Sequence, residues 1–460
     1  MTNPDKSQEQ QLLRSASSRG GECNSLILEL WQQTRMDWGF ATDRLAKVFR
    51  RERSLGSSER RFVAEVLYTM IRHAKRIDLA IEAGGLKAVG RAPDSKRLLA
   101  ALILEHGLAP EDAAHHDADL DWQKVANIDT KLDALRKPIE RISSRHSLPE
   151  FLAKIFVEDL GAEGAEALAA SLNLRAPMTI RANTLKGDSE ALYSALLAEG
   201  IETTHGDYGA QTLHVDTRTN LFGLESFRNG LFEAQDEGSQ LIAELVAPPP
   251  KGLIIDYCAG AGGKSLALAA MLGNRGRLMA SDVDKRKLIE LRRRAKRAGA
   301  TNIQVVHLDH ESGAGGERVA LPKPFEKIIG QASRVLVDAP CTGMGALRRN
   351  PEARWRLSQG EVDRMPAQQL NIATRALELV APGGRLIYAT CSVLKSENED
   401  IVEKLMRGRD DLEIISPREV WGKERGDRVL DATGQFMVTR PDVHGCDGFF
   451  AAVIRRKPDA

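Results

Sequence analysis

Apolar and polar residues follow two different patterns along the chain, and the change between them predicts its architecture. Over residues 24–107, apolar side chains recur at spacings of three and four residues, which is typical of amphipathic helices packed in a bundle. After the proline run at 248–250, short apolar runs alternate with helical stretches, as in a doubly wound α/β sheet. Short strands at 178–183 and 212–215, with a helix at 189–199 between them, predict a small α+β module before that sheet.

These patterns divide the chain into four segments. Residues 1–22 are rich in Ser, Gln and charged side chains and lack an apolar core, so we expect a disordered tail. Residues 23–147 predict an all-helical domain, residues 148–247 linker helices and the small α+β module, and residues 248–460 the α/β domain. The sequence has neither a secretory signal pattern nor an apolar run of membrane-spanning length, so we expect a cytoplasmic protein without membrane contact.

A glycine-rich stretch stands at the centre of the α/β pattern. Residues 253–264, Leu-Ile-Ile-Asp-Tyr-Cys-Ala-Gly-Ala-Gly-Gly-Lys, predict a buried strand, a tight loop and the start of a helix. Glycines let a ligand approach the backbone closely, and a helix N-terminus offers free N–H groups. The spacing does not match the phosphate-binding Gly-x-x-x-x-Gly-Lys-Ser/Thr pattern. Asp282, after the next predicted strand, is placed to accept hydrogen bonds from ribose hydroxyls. A nucleoside without phosphates, such as S-adenosylmethionine, therefore fits better than ATP.

Other reactive side chains also follow predicted strands. Strands are expected at 303–307, 335–337, 385–388 and 448–454, with helices at 284–299 and 370–380. In open α/β sheets, ligands bind at the carboxyl edge of the parallel strands. We therefore expect one site to combine the glycine loop with the polar residues at these strand ends, which are Asp282, Asp309, Asp338, Cys341 and Cys391.

The two cysteines at strand ends suggest covalent chemistry. A single cysteine at such a place is usually a small buried apolar residue. Two of them, Cys341 beside Asp338 and Cys391 in a Thr-Cys-Ser turn, favour a thiol that attacks an electron-poor ring carbon. The residues alone do not decide which cysteine attacks. The chain's 5 cysteines are scattered without a Cys-x-x-Cys pair, which argues against zinc and a disulfide framework and for a reducing compartment.

Charge adds little at the level of the whole chain, because the formal net charge is only +1. Locally, residues 44–76 carry ten Lys or Arg against three Glu. This cluster is either a solvated helix face or a phosphate-contacting patch. A second group of basic residues after Cys341 either grips RNA phosphates or forms ion pairs inside its domain; it comprises Arg348, Arg349, Arg354 and Arg356.

Several motifs together resemble a known family. They are Asp256-Tyr-Cys-Ala-Gly-Ala-Gly-Gly-Lys-Ser, Asp338-Ala-Pro-Cys-Thr-Gly, Thr390-Cys-Ser and Asp447-Gly-Phe-Phe-Ala. In this order they resemble the RNA cytosine-5 methyltransferases of the Sun/Fmu (Nol/Nop/Sun) family, and among these the RsmB branch. Residues 58–78 resemble the NusB-like RNA-binding domain of that branch. The resemblance implies a Rossmann-like methyltransferase sheet preceded by an all-helical NusB-like domain and a small α+β module.

The resemblance also implies roles for individual residues. S-adenosylmethionine would be the cofactor, with Asp282 at its ribose and Asp309 at its adenine amino group. Asp338 would lie between cofactor and base and bond the cytosine edge near nitrogen 3. Cys391 would attack carbon 6, and Cys341 would assist product release. The methionine part of the cofactor would contact the loop residues Cys258, Ala259, Gly260, Ala261, Gly262, Gly263 and Lys264.

The sequence differs from the family pattern at a few positions, and the resemblance also indicates a substrate. Gly260 and Ala261 replace the usual Ala-Pro of the loop, and Lys395-Ser396 replaces a common Pro-Glu; neither change removes a proposed catalytic group. The resemblance favours small-subunit ribosomal RNA as the substrate. Transfer RNA is an alternative for the same chemistry, and a catalytically silent RNA-binding assembly factor is a second one.

Overall fold

The computed structural model of this chain describes residues 4–87, 90, 92–216, 219–308 and 321–458. The chain forms two compact units. The first comprises Met1–Arg175 and Leu347–Gln359, and the second comprises Ala176–Ala346 and Gly360–Ala460. We describe each unit by itself.

The secondary structure is mixed. The helices are α1 (Pro4–Ser17), α2 (Glu22–Asp37), α3 (Ala41–Arg51), α4 (Ser57–Arg72), α5 (Ala74–Ala83), α6 (Asp94–His106), α7 (Pro110–His116), α8 (Trp122–Ala126), α9 (Ile128–Asp133), α10 (Pro138–Arg145), α11 (Glu150–Ser171, interrupted at Gly161), α12 (Ser189–Ala198), α13 (Glu225–Arg228), α14 (Glu237–Leu245), α15 (Gly263–Met271), α16 (Lys285–Ala298), α17 (Lys323–Glu326), α18 (Ala353–Arg356), α19 (Gln359–Glu378), α20 (Glu399–Met406), α21 (Pro417–Trp421), α22 (Lys423–Asp427) and α23 (Pro441–His444). The strands are β1 (Met178–Ala182), β2 (Thr203–His205), β3 (Thr212–Val215), β4 (Phe232–Ala234), β5 (Leu253–Asp256), β6 (Arg277–Asp282), β7 (Ile303–His307), β8 (Ala332–Asp338), β9 (Val380–Thr390), β10 (Leu412–Ile415), β11 (Met437–Thr439) and β12 (Phe449–Arg456).

The first unit is helical, as the three- and four-residue spacing predicts, but its beginning differs from the sequence prediction. We expected a disordered tail over residues 1–22, whereas Pro4–Ser17 is the helix α1. Leu12 and Leu13 pack against the helical core, and Ala16 is fully buried within it. The buried Asn24 side chain donates a hydrogen bond to the Ala16 carbonyl at 2.7 Å. These few apolar contacts stabilise α1 within a segment that is otherwise polar.

The basic residues of the first unit divide into buried and exposed sets. Arg354 is fully buried and donates to the Asn173 side chain at 2.7 Å and to the carbonyl oxygen of His146 at 3.2 Å. It is therefore a structural residue, and of the two interpretations of this basic group the internal one applies to Arg354. In the 44–76 cluster, Arg76 is also buried and pairs with Asp129. An exposed subset of that cluster remains on the surface: Lys47, Arg50, Arg51, Arg53 and Arg61.

The second unit contains two sheets. The smaller one is antiparallel, in the order β2-β3-β1-β4, and α12 packs on it as part of the predicted small α+β module. The larger one has the order β10-β12-β9-β8-β5-β6-β7, with β11 paired to β12. Strands β5 to β9 are mutually parallel, and β12 runs antiparallel to β9. This is the predicted doubly wound α/β fold, so the predicted fold class is confirmed.

Both faces of the large sheet are covered, which explains its nearly continuous apolar strands. Ile254, Leu336 and Ile387 lie in the core on one face. Their neighbours Ile255 and Val335 lie in the core on the other face. The chain order reverses between β5 and β8, since β6 and β7 extend the sheet on one side and β8 and β9 on the other. In doubly wound sheets ligands bind at this crossover, at the carboxyl ends of the strands.

Candidate active site

The carboxyl edge of the large sheet brings the two reactive cysteines together. Cys341 follows β8 and Cys391 follows β9, and these strands are parallel neighbours with Asp338 opposite Ala389. The two sulfur atoms lie 3.2 Å apart, and both cysteines are free and only partly buried. A hydrogen bond with Cys391, burial and the nearby negative charge of Glu397 raise the pKa of the Cys341 thiol. The structure therefore places two thiols on one small part of the sheet edge.

A lysine and an aspartate lie close to these thiols. The Lys264 ammonium group, from the first turn of α15, donates a hydrogen bond to Asp338 Oδ2 at 2.7 Å. Burial favours the neutral amine, but the charge of Asp338 and this hydrogen bond outweigh it and raise the pKa of Lys264. Lys264 is thus a buried cation beside Asp338, whose side chain is about one third exposed (31%). This pair can hold a proton next to a ring bound at the thiols.

The glycine loop connects β5 to α15 and is shaped by two left-handed residues. Gly260 has φ 55° and Gly262 has φ 85°, backbone conformations that strongly favour glycine. Asp282, at the end of β6, accepts hydrogen bonds from the backbone N–H of Gly260 at 2.8 Å and of Asp284 at 2.8 Å. Each carboxylate oxygen keeps a second lone pair, so Asp282 can still accept from two hydroxyls.

The residues around this loop fit the adenosyl cofactor that the motif resemblance implies. The space beside Gly260 is open, because a Cβ built there meets no atom within 4 Å. The partly exposed Asp282 carboxylate borders this space, and α15 starts at Gly263 with its N-terminal N–H groups. The remaining predicted loop residues, Cys258, Ala259 and Ala261, lie in the same turn. Asp309, the predicted contact to adenine, lies outside the described residues.

Burial raises the pKa of two further groups at the loop, the carboxyl of Asp256 and the thiol of Cys258. Asp256, at the end of β5, is completely buried and accepts a hydrogen bond from the Ser265 hydroxyl at 2.6 Å. Burial raises the pKa of this carboxyl to about 7. Burial, with the charges of Asp282 and Asp256, also raises the pKa of the Cys258 thiol. Cys258 is therefore a neutral thiol and a poor nucleophile at neutral pH.

Sequence reasoning gave no function to Glu397, which the structure places between the two cysteine-bearing turns. Its buried carboxylate accepts from the Thr342 backbone N–H at 2.9 Å and from the Thr342 hydroxyl at 2.5 Å. It also accepts from Gln369 at 2.9 Å and from the Ser392 hydroxyl. The sequence signal was the pair Glu397-Asn398, which matches the family pattern six residues after Cys391. One sequence alone does not show which groups the Glu397 side chain contacts.

Arg181 and Asn183 connect the small sheet to the α/β core. Arg181 is buried and donates to the carbonyl oxygen of Gly263 at 2.9 Å and to the Gln235 side chain. Asn183 donates to the carbonyl oxygens of Gly230 and Ala298, both at 2.8 Å. These residues hold the glycine loop and the end of α16, so their role is structural.

Neither a membrane span nor a metal cluster emerges from the described part of the chain. Across 4–87, 90, 92–216, 219–308 and 321–458, no helix is long and apolar enough to cross a bilayer. The same residues contain no group of three or more His, Cys, Asp or Glu arranged to hold a metal ion.

A doubly wound sheet with a glycine loop after its first parallel strand and an acidic residue after the second is an architecture of enzymes that bind a nucleoside cofactor, and methyltransferases are one class of these. Comparison with known proteins identifies the class more closely. The family model described as 16S rRNA methyltransferase RsmB/F matches residues 243–455. A second model, the ferredoxin-like domain of RsmF/B-like methyltransferases, matches residues 148–221. This chain belongs to the RsmB/F family and is an RNA (cytosine-5) methyltransferase.

Individual proteins that are similar to this chain support the same family assignment. A protein of Bacillus subtilis named probable ribosomal RNA small subunit methyltransferase B is 30% identical over 71% of this chain and 70% of its own length. A Synechocystis protein with the same name is 26% identical over 87% of this chain and 92% of its own length. Among solved structures, that of PH0851 matches the fold with a TM-score of 0.72 at 24% identity, over 94% of this chain and 97% of its own.

Proposed function

We propose that this enzyme methylates carbon 5 of a cytosine in small-subunit (16S) ribosomal RNA through a covalent bond between Cys391 and carbon 6. The observation that carries the proposal is the pair of free thiols, 3.2 Å apart, at the carboxyl edge of the sheet next to the Lys264–Asp338 pair. The names of the relatives in Bacillus and Synechocystis support the choice of small-subunit ribosomal RNA. Because ribosomal RNA is the substrate, we place the activity in the cytoplasm.

The cofactor would be held by the residues that already shape the loop. Residues 258–264 would contact its methionine part, Asp282 its ribose hydroxyls and Asp309 its adenine amino group, while Asp338 would lie between cofactor and base. Bound there, S-adenosylmethionine supplies an electrophilic methyl group. Carbon 5 of cytosine is a weak nucleophile, so the protein must first make it more reactive.

Cys391 performs this activation in the proposed mechanism. Its thiol gives up its proton to solvent, the sulfur forms a bond to carbon 6, and the electrons of the carbon 5–carbon 6 double bond become available at carbon 5. The negative charge that reaches the ring is neutralised by a proton at nitrogen 3, which comes from the Lys264–Asp338 pair. Because the pKa of Lys264 is raised by Asp338, the pair holds this proton until the ring takes it up.

Cys341 completes the reaction. After methylation, its thiolate removes the proton from carbon 5, the carbon 6–sulfur bond breaks with its electron pair returning to the Cys391 sulfur, and nitrogen 3 returns its proton to the Lys264–Asp338 pair. The pKa of Cys341 is raised chiefly by its hydrogen bond with Cys391. That hydrogen bond is altered once Cys391 is bonded to carbon, so the Cys341 thiol loses its proton more readily after the adduct has formed and can then act as the thiolate base.

RNA binding is assigned to the helical unit, which resembles a NusB-like RNA-binding domain in residues 58–78. Its surface carries the exposed basic residues Lys47, Arg50, Arg53 and Arg61. Phosphate contacts of this kind fix position on RNA but carry no sequence information. The selected cytosine must therefore be recognised near the thiols, as an unstacked base.

The test is bisulfite sequencing of total RNA from cells with and without the gene. Loss of one 5-methylcytosine in small-subunit ribosomal RNA, restored by the wild-type gene but not by a Cys391→Ala gene, is the expected result. Loss in transfer RNA instead would keep the chemistry and refute the substrate. Unchanged 5-methylcytosine in every RNA would refute the proposed function.

A further inference from the structure

Glu397 is a buried charged residue that the proposed chemistry does not use. It lies in the short 3-10 turn Lys395–Glu397, and its side chain has no exposed surface. A buried carboxylate is stable only when hydrogen bonds replace the water that it has lost. Glu397 accepts four such bonds, so its position is strongly determined by its partners.

Those partners come from two separate turns. Thr342, which follows Cys341, donates both its backbone N–H and its hydroxyl to Glu397. Ser392, which follows Cys391, donates its hydroxyl to the same carboxylate. Gln369 on α19 donates to Glu397 at 2.9 Å and to the carbonyl oxygen of Pro340 at 3.0 Å. One carboxylate thus connects the residues directly after both thiols.

The covalent mechanism requires the two sulfurs to act on neighbouring ring atoms. Cys391 must reach carbon 6, and Cys341 must then reach the proton on carbon 5. We propose that Glu397 is a positioning residue, which holds the Cys341 and Cys391 turns together so that both thiols address one bound pyrimidine. The role in catalysis rests on the proposed function; the role in holding the sulfurs together does not.

The sulfur separation can be measured without RNA or cofactor. Diamide oxidises two neighbouring thiols: both give up a proton, a sulfur–sulfur bond forms, and the two electrons and two protons reduce its nitrogen–nitrogen double bond to a hydrazine. The rate at which the Cys341–Cys391 disulfide forms, followed by peptide mass spectrometry, reports how often the two sulfurs meet.

Four variants separate the role of Glu397 from general damage. Glu397→Ala removes the connection between the turns. Glu397→Gln can keep it, because the amide oxygen accepts from Thr342 N–H and Gln369 while the amide nitrogen donates to the two hydroxyls. Ser392→Ala breaks only the Cys391 side. The matched control is Glu237→Ala, which removes another buried carboxylate of the same unit, one that accepts from the N–H groups of Tyr208 and Gly209 at 2.7 and 2.8 Å.

We expect the disulfide to form about tenfold more slowly in Glu397→Ala and Ser392→Ala than in the wild type, and at close to the wild-type rate in Glu397→Gln and Glu237→Ala. Single-turnover methylation should fall by about 100-fold in Glu397→Ala, with unchanged affinity for S-adenosylhomocysteine, and recover largely in Glu397→Gln. Should Glu397→Ala not fold, Ser392→Ala carries the test.

Wild-type disulfide rates in both Glu397→Ala and Ser392→Ala would overturn the proposal, as would a loss of activity explained by weaker cofactor binding. Failure of the covalent mechanism gives a different result. In that case, Cys341→Ala traps no RNA on the protein, while the disulfide rates still follow the order expected for Glu397.

Discussion

At the scale of single residues, Asp256 makes stability depend on pH. Its folded-state pKa of about 7 lies above the usual value near 4, so the folded chain binds a proton more tightly than the unfolded chain does. The stabilisation from this proton is complete below about pH 4 and is lost as the pH rises through about 7. The difference between the folded and unfolded pKa values corresponds to about 4 kcal/mol in the free energy of unfolding.

The substitution Asp256→Asn tests this pH dependence of stability, because the amide cannot ionise. It introduces a buried amide group beside Ser265, which changes stability by an amount that is independent of pH. We expect the free energy of unfolding of the wild type, measured relative to Asp256→Asn by urea titration, to decrease between pH 4 and 8. A constant difference between the two proteins across this range would contradict a raised pKa.

The two thiols give a second prediction at this scale. If Cys391 attacks and Cys341 releases, Cys341→Ala should accumulate a protein–RNA adduct that survives denaturing gel electrophoresis, because the carbon 6–sulfur bond forms but does not break. Cys391→Ala should form no adduct. Cys23→Ala is the control, since that buried thiol lies in the helical unit and should leave adduct formation unchanged. The reverse pattern, with the adduct in Cys391→Ala, would exchange the two roles.

At the scale of elements, the glycine loop depends more on one glycine than on the other. A Cβ on Gly262 would lie 2.5 Å from Leu291 Cγ on α16, in addition to the left-handed backbone at φ 85°. The backbone at Gly260 is also left-handed, but the space around it is open. We expect Gly262→Ala to weaken S-adenosylhomocysteine binding at least tenfold, because the strain of about 1–2 kcal/mol is joined by a steric overlap.

The matched control for that experiment is Gly262→Ala combined with Leu291→Ala, since it keeps the backbone strain and removes the overlap with Leu291. Calorimetric titration of both variants separates the two effects. Equal dissociation constants for the two variants would show that packing against α16 does not shape the loop.

The elements also show what a single sequence can predict. The parallel strands were recognisable because burial on both faces makes them continuous apolar runs, as in Leu253–Ile255. Strands β10 and β11 were missed, because they are short and only partly buried. Helix α19 starts at Gln359, well before the predicted start at 370, and Pro366 lies inside it. A proline usually indicates a helix boundary, and this one does not.

For the site, the sequence predicted residues at strand ends but no side-chain network. Cys341, Cys391, Asp338 and Asp282 lie at the sheet edge because strand ends converge there. The contacts of Glu397 and Arg181 depend on packing between segments far apart in the chain, which periodicity does not encode. The resemblance to a family supplied the assignment of the two cysteines, which the residues themselves left open.

At the scale of the whole molecule, net charge near neutrality leaves RNA binding to a local surface. Replacing Lys47, Arg50 and Arg53 by Ala should weaken RNA binding and reduce the slope of log affinity against log salt by about 2, at roughly 0.7 per phosphate contact. A matched triple variant removes the exposed Lys285, Arg292 and Lys296 of α16 and should leave the slope unchanged. Filter binding over a salt series measures both; equal slopes for the two variants would contradict the assignment.

Gly345 and Gly448 lie so close that a Cβ on Gly345 would overlap the Gly448 carbonyl oxygen, and Gly448 N–H donates to the Gly345 carbonyl at 2.9 Å. Gly345 in turn donates to the carbonyl oxygen of Cys391 at 3.0 Å. Because translation runs from the N-terminus to the C-terminus, the ribosome makes both cysteines before it makes Gly448 and the strand β12, which pairs with β9. During translation a nascent chain carries both thiols without this support, so the order of synthesis delays assembly of the site until β12 has emerged.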